Sequence, residues 1–460
     1  MVMLDRDFAS TLHQRRQNLK QQIEFPAILW SGCARSRNFP ANKFPFRASS
    51  HFLYFAGLPL ENAAIRLQEG KLTLYWDNPA PESTLWHGQQ GDRDEIAAQI
   101  GADAAYPLTE LCDRPQDAAT IALPDPITYQ QQINILNRPL PLPQHSQGQD
   151  LALIKAIISL RLTHDRSALS ELQKAANVAV EAHKTGMTTA RKAKTEAEVR
   201  GAMEGVIIAQ NMTCSYNSIV TIQGEVLHNE HYHNPLQPGD LILADVGAET
   251  SLGWASDITR TFPVTGKFSP TQREIYNLVL AAQDRCIDRL APGVEYRDIH
   301  LLAALTITEG LVDLGILRGN PAELVDRDAH ALFFPHGIGH LLGLDVHDME
   351  DLGDLAGYAE GRQRSDRFGL GYLRLDRPLR SGMLVTIEPG FYQVPALLQN
   401  PEMRAKYKDA VNWERLEQFA DVRGIRIEDD VLVTESGSEV LTEKLPKCAE
   451  NIEELVMRNW

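Results

Sequence analysis

Apolar positions fall in short runs through the first third of the chain and at helical intervals beyond it. Residues 5–22 are polar and charged with helical spacing, which predicts a helix. Pro26–Trp30 predicts a short buried strand, and Lys71–Trp76 alternates as a strand does. His51–Gly57 and Ala63–Leu67 are further short apolar runs, and Ala119–Leu123 is a strand candidate. Residues 92–101 predict a helix ending at Gly101, a natural C-terminal cap. This alternation is an α/β pattern. Residues 137–150 (NRPLPLPQHSQGQD) hold too much proline for a regular element and predict a linker. The expected domains are therefore 1–150 and 151–460.

Leu151–Leu162 and Ser167–Thr185 carry apolar residues three and four positions apart, as helices do. Thr195 with Glu198 fits a capping box ahead of a helix running to about Asn211. Strands are then expected at Tyr216–Ile222, Leu241–Val246 and 253–264, with a turn at Pro238-Gly239-Asp240. Helices at 270–291 and 296–315, and strands at 384–393 and 424–434, complete an α+β second part. Residues 351–381 are rich in Gly, Arg and Asp. They read as a solvated surface insertion or, alternatively, as a lid or subunit contact near an active site.

Composition narrows the function. Lys plus Arg is 45 against 61 for Asp plus Glu, a formal charge of −16. That balance disfavours a nucleic-acid backbone binder and electrostatic attachment to anionic lipid. The five cysteines are scattered, with no CxxC or CxxH spacing, so neither a disulfide framework nor a zinc–thiolate site is expected. The first residues lack the apolar centre of a secretory signal, and no apolar stretch is long enough to span a membrane. The expected location is the cytoplasm.

Acidic residues and histidines occupy unusual places. Asp245 ends an apolar strand and Asp257 lies on the next, so pairing the two strands would bring both carboxylates together. Close carboxylates need a proton or a cation between them. His336, His340 and His347 lie among glycines; Gly337 stands where HExxH requires Glu, so the zincin motif fails. Glu388 ends another apolar strand before Pro389. Strand alternation puts Arg426, Glu428 and Asp430 on one face, with Arg426 suited to orient a ligand carboxylate. Four carboxylates and an imidazole without thiolates suit two ions of Mn²⁺, Co²⁺, Fe²⁺ or Zn²⁺ and metal-assisted amide hydrolysis.

The runs LADVG (243–247), SDITRTF (256–262), HGIGH (336–340), IEPG (387–390) and GIRIEDD (424–430) together resemble the "pita-bread" metallopeptidases. That family includes methionine aminopeptidase, aminopeptidase P and prolidase. FPFRASSHFLYFAG (44–57) and LWHG (85–88) resemble the N-terminal domain of aminopeptidase P and creatinase. The resemblance implies an α/β N-terminal domain followed by an α+β pita-bread catalytic domain. It implies two divalent metals, with Mn²⁺ expected. Asp245 would bind one metal alone, Asp257 and Glu428 would bridge both, and His340 and Glu388 would complete the second. A bridging water would attack the scissile carbonyl, with Glu388 as general base and later proton donor to the leaving amine. His336 and His347 match histidines that contact the substrate and stabilise the tetrahedral intermediate. His228 matches a substrate-side histidine, although His231 and His233 lie close by. Arg426 and Tyr392 match residues that back the substrate side.

The implied activity is release of the N-terminal residue from small peptides with proline in second position. The alternatives are a prolidase restricted to Xaa-Pro dipeptides and a non-catalytic binding protein that keeps the fold. Creatinase shares the fold but lacks these ligands, whereas all five are present here. The resemblance also implies a homo-dimer or homo-tetramer. Trp86 could then contact a neighbouring subunit, although a core tryptophan is the plainer expectation. The hairpin between Asp245 and Asp257 is one residue longer than the common form, which a bulge could absorb. Segments 351–381 and 394–423 are longer than in compact members.

Overall fold

Five strands form the sheet of the N-terminal part, in the order 104–106, 71–75, 64–68, 27–30, 119–120. A computed structural model describes residues 6–113 and 117–458; the first residue of the helix expected at 5–22 lies outside them. The wholly buried strand Ala27–Trp30 runs antiparallel to Ala64–Gln68 and parallel to Ala119–Thr120, so the sheet is mixed. The helix Arg6–Lys20 buries Phe8, Leu12 and Leu19, one apolar face at helical spacing. The run at 51–57 is helical: Ser50–Ala56 is buried throughout, and Gly57 closes it at φ 75° by donating to Leu53 O. A run that short and uniformly apolar carries no period from which to choose strand or helix.

The described residues divide into two compact units. The first runs to Leu169 and takes in Ser251–Gly253 and Met349–Ala356; the second holds Ser170–Thr250, Trp254–Asp348 and the chain from Gly357. The proline-rich stretch at 137–150 is pinned rather than free. Arg138 donates to both oxygens of Asp150 (2.6 and 2.7 Å), and Asp150 also accepts from Thr120 N. A helix already starts at Gly148. Leu85 and Trp86, on the short helix Ser83–His87, are 80% and 77% exposed, so Trp86 is not a core residue.

In the second unit, Leu241–Asp245 lies between Thr259–Pro263 and Ile219–Thr221, antiparallel to both. The helices Pro270–Arg289 and Tyr296–Asp313 fall where their spacing placed them. Thr195 caps the helix Glu196–Ala209 by position only, without a side-chain bond; Glu198 accepts instead from Lys194 N (3.0 Å). The two long strands expected at 384–393 and 424–434 each break in the middle. Leu384–Ile387 pairs with Asp429–Val433, and Gly390–Tyr392 pairs with Gly424–Arg426. The breaks fall at Glu388-Pro389 and Ile427-Glu428, and Pro389 has no N–H to give a ladder.

Residues 351–381 are solvated only in part: 360–367 are mostly exposed, but the stretches on either side pack inward. Leu370, Leu373, Leu375 and Leu379 are buried between the charged positions, and Arg362 bridges Glu295 and Asp376. In the first unit, Arg161 donates to His51 Nδ1 (2.9 Å), which leaves His51 Nε2–H to donate to Asp351 (2.9 Å). Among the described residues no helix is long and apolar enough to cross a membrane.

Candidate metal centre and active site

Asp245 is the last residue of a fully buried strand and lies opposite Thr259 across the ladder. Val246 N–H donates to Ile258 O, so the hairpin closes and returns Asp257 beside Asp245. Gly247 permits this close return, because a Cβ there would stand 1.9 Å from Ser256 O. The Tyr216 hydroxyl lies 2.5 Å from Asp245 Oδ1 and 2.6 Å from Asp257 Oδ1 and shares its proton between them. The expected pairing of the two aspartates is therefore present, with a tyrosine between them that lies three residues ahead of the strand Ile219–Thr221.

Gly339 brings the histidine segment onto the strand carrying Glu388. Its φ is 155°, and a Cβ there would stand 2.2 Å from Thr386 O and 2.4 Å from Tyr296 Oη. Thr386 N–H donates to His340 O (3.0 Å), and Glu388 N–H donates to Ile338 O (2.8 Å). His340 Nδ1 is 3.0 Å from Leu341 O and donates to it, which leaves the Nε2 lone pair facing the carboxylates. Nε2 is 3.4 Å from Asp257 Oδ2 and 3.8 Å from Glu388 Oε1.

Glu428 is tied across the break in its strand. Its N–H donates to Thr259 O (3.0 Å), and Thr259 Oγ1 donates to Glu428 Oε2 (2.7 Å). Arg260, fully buried, donates to Glu428 O and Asp429 Oδ1, both at 2.7 Å. Arg426 does orient a carboxylate, but that of Asp245 (2.5 Å); it also donates to Thr259 Oγ1 and Tyr392 Oη.

Asp257, His340 and Glu428 present ligand atoms that all lie within 4.8 Å of one another. Burial, then Asp245, pushes the Asp257 carboxyl up to about 8. Burial raises Glu388 to about 7 and Glu428 well above the usual range, with Asp257 and Glu388 the next causes for Glu428. Like charges in a dry site persist only with protons or cations between them. Carboxylates and imidazole without thiolates suit Mn²⁺, Co²⁺, Fe²⁺ or Zn²⁺, so these residues fit a divalent-metal centre.

A cavity of about 320 Å³ opens over this cluster. His228, His336 and His347 line it along with the five ligand candidates and Arg426. His231 and His233 are exposed and not part of its wall. The His347 ring meets that of His340 edge-on, 4.3 Å between centroids. Tyr392 does not line the cavity; its hydroxyl donates to His336 Nε2 (2.8 Å) and accepts from Arg426. Burial, then Arg426, pushes His336 down to about 3, so it is neutral. Arg364, Tyr372 and Arg374, from the 357–381 stretch, also line the cavity.

The profile of metallopeptidase family M24 matches residues 170–435, and that of the aminopeptidase P N-terminal domain matches 12–121. The Xaa-Pro aminopeptidase of Haemophilus influenzae is 32% identical over 452 residues, covering 93% of this chain and 92% of the relative. The structure of Pseudomonas aeruginosa aminopeptidase PepP superposes with a TM-score of 0.79 at 31% identity, covering 99% of both chains. Zinc-substituted E. coli aminopeptidase P in complex with product gives 0.79 at 27% identity, with full coverage of both. With an aminopeptidase P N-terminal domain ahead of a pita-bread domain, the chain belongs to metallopeptidase family M24, in its aminopeptidase P branch.

Proposed function

We propose that this protein is a two-metal exopeptidase that releases the N-terminal residue from peptides with proline in second position. One observation carries the reading: the ligand atoms of Asp257, His340 and Glu428 converge within 4.8 Å beneath a cavity of about 320 Å³. The Xaa-Pro aminopeptidase activity named for the relative from Haemophilus influenzae supports the substrate class. Proline lacks an N–H and has a fixed φ, which makes this bond awkward for general peptidases and a dedicated site reasonable.

Asp245 would hold one ion, His340 and Glu388 the other, and Asp257 and Glu428 both, with Mn²⁺ the expected metal. When bound, the ions lower the pKa of a water and polarise the scissile carbonyl. Glu388 lies 3.8 Å from both His336 Nδ1 and His340 Nε2. It takes the proton of the attacking water and returns it to the leaving proline nitrogen. His336 and His347 face the carbonyl as it becomes tetrahedral, and His228 contacts the substrate from the cavity wall. Arg426 and Tyr392 support that side: Arg426 donates to the Tyr392 hydroxyl, which in turn donates to His336.

The matched profiles fall on either side of 121–170, which supports reading 1–150 and 151–460 as separate domains. Exposure of Leu85 and Trp86 supports a homo-dimer or homo-tetramer. Five free cysteines fit a reducing cytoplasm.

A restriction to dipeptides draws support from Arg364 and Arg374 in the cavity wall, since a dipeptide's carboxylate lies next to its scissile bond. Hydrolysis of Xaa-Pro and Xaa-Pro-Xaa peptides with Mn²⁺ or with chelator separates the readings. Chelator-sensitive cleavage of the tripeptide supports the aminopeptidase, and cleavage of the dipeptide alone supports the prolidase. Cleavage of neither by protein holding two metals would discard the proline specificity.

A further inference from the structure

Glu196 opens the helix Glu196–Ala209 and is fully buried. A carboxylate out of water is costly unless donors surround it. Here neutral donors reach it from both ends of one loop. Thr221 Oγ1–H (3.0 Å) and Ile222 N–H (2.8 Å) donate to Oε1 from the end of the strand Ile219–Thr221. Asn234 arrives from the far end, its N–H on Oε2 at 3.2 Å and its amide on the two oxygens at 3.1 and 3.0 Å. The backbone reinforces the neck: Glu196 N–H donates to Asn234 O and Ala197 N–H to Tyr232 O. Residues 222–234 thus form a loop closed by one carboxylate, and His228 lies midway along it in the cavity wall.

The direction of each hydrogen bond carries the clamp inward. A carboxylate only accepts, so the Thr221 hydroxyl must direct its single proton to Glu196. Its lone pairs then receive Asn229 Nδ2–H and Gln223 N–H, both at 2.9 Å. Asn229 is thereby oriented, and its Oδ1 accepts from His231 N at 2.9 Å. Asn229 is 5% exposed and follows His228 directly in the chain.

We propose that Glu196 is a positioning residue for the reaction: through Thr221 and Asn229 it sets the backbone from which His228 enters the cavity. The proposal rests on the substrate-side role given to His228 above.

The test compares Glu196→Gln and Thr221→Val, each made in the parent and in a His228→Ala background, as metal-loaded enzyme. Gln keeps the volume but turns an NH₂ toward donors, and Val keeps the shape and removes only the hydroxyl. The readouts are kcat and KM on an Xaa-Pro-Xaa peptide, bound metal and Tm. In the parent, each change is expected to lower kcat/KM by about 10- to 100-fold at unchanged metal content. Neither should lower it further once His228 is Ala, because residues acting through one another do not add. Equal factors in both backgrounds, loss of metal, or no loss in the parent would overturn the proposal. A His228→Ala enzyme with parental kcat/KM would remove the role of His228 itself and the proposal with it. A weakened His228→Ala enzyme with an additive second loss removes the proposal alone.

Discussion

Removing Asp257 or Glu428 and removing His347 should produce two different failures. Asp257→Ala and Glu428→Ala each delete a carboxylate assigned to both ions, so both bound metal and turnover should disappear. Metal analysis of the desalted proteins checks this, and either variant retaining two metals with parental kcat contradicts the ligand assignment. His347→Ala should keep its metal and lose about 100-fold or more in kcat, the scale of a lost transition-state donor. Loss of metal there would make His347 a ligand. Tyr216→Phe removes only the hydroxyl shared by Asp245 and Asp257. Partners that orient ligands in this way are worth about 10- to 100-fold in metal affinity or activity, so a competition titration should show weaker binding by that factor. The ligand candidates themselves were legible because carboxylates and histidines at apolar strand ends are chemically out of place. Tyr216 was not, because a tyrosine opening an expected strand is an ordinary residue until the fold turns it inward, and here the strand begins only at Ile219. Glu196 was hidden for the same reason, since an acidic residue in a first helical turn usually faces water.

The breaks in paired strands are what aim the ligands. A continuous strand over 384–393 would keep Glu388 in a ladder, and a continuous 424–434 would do the same for Glu428. In the structure the two segments pair with each other on both sides of one gap, at Glu388-Pro389 and Ile427-Glu428, without a change of partner or register. Sequence periodicity located both segments but merged each into one strand, since the alternation of side chains runs through the breaks. Pro389 was the one local sign. Gly339→Ala tests the neighbouring contact, because its Cβ would meet Thr386 O at 2.2 Å. Overpacking of this kind costs about 1–3 kcal/mol, so Tm should fall and bound metal should drop as His340 is displaced. Gly437→Ala, where a Cβ meets nothing within 4 Å, is the control. Equal Tm and metal content in the two variants would show that the close approach at Gly339 does not place His340.

Stability of the whole molecule should depend on pH through two histidines outside the metal cluster. Burial pushes His300 down to about 3, with His330 the next cause, and His330 down to about 4, with Arg367 the next. The unfolded chain titrates near 6.5 at both. Below that pH the unfolded state binds more protons than the folded one, so stability falls as pH drops from about 6.5 toward 3–4. Each group adds a slope of about 1.4 kcal/mol per pH unit inside its window. His300→Phe should flatten the fall of Tm between pH 6 and 4.5, and an unchanged slope would contradict the assignment. The α/β and α+β halves could be anticipated from the pattern of apolar runs. The division of 349–381 between the two units could not, because burial of Leu370, Leu373 and Leu375 among charged neighbours leaves no local period. The central claim is that five side chains hold two metals under one cavity. Crystals grown with Mn²⁺ and measured at the manganese edge test it most directly. Two anomalous peaks about 3.5–4 Å apart are predicted, both touching Asp257 and Glu428, with Asp245 on one and His340 with Glu388 on the other. A single peak, or peaks away from these carboxylates, would contradict it.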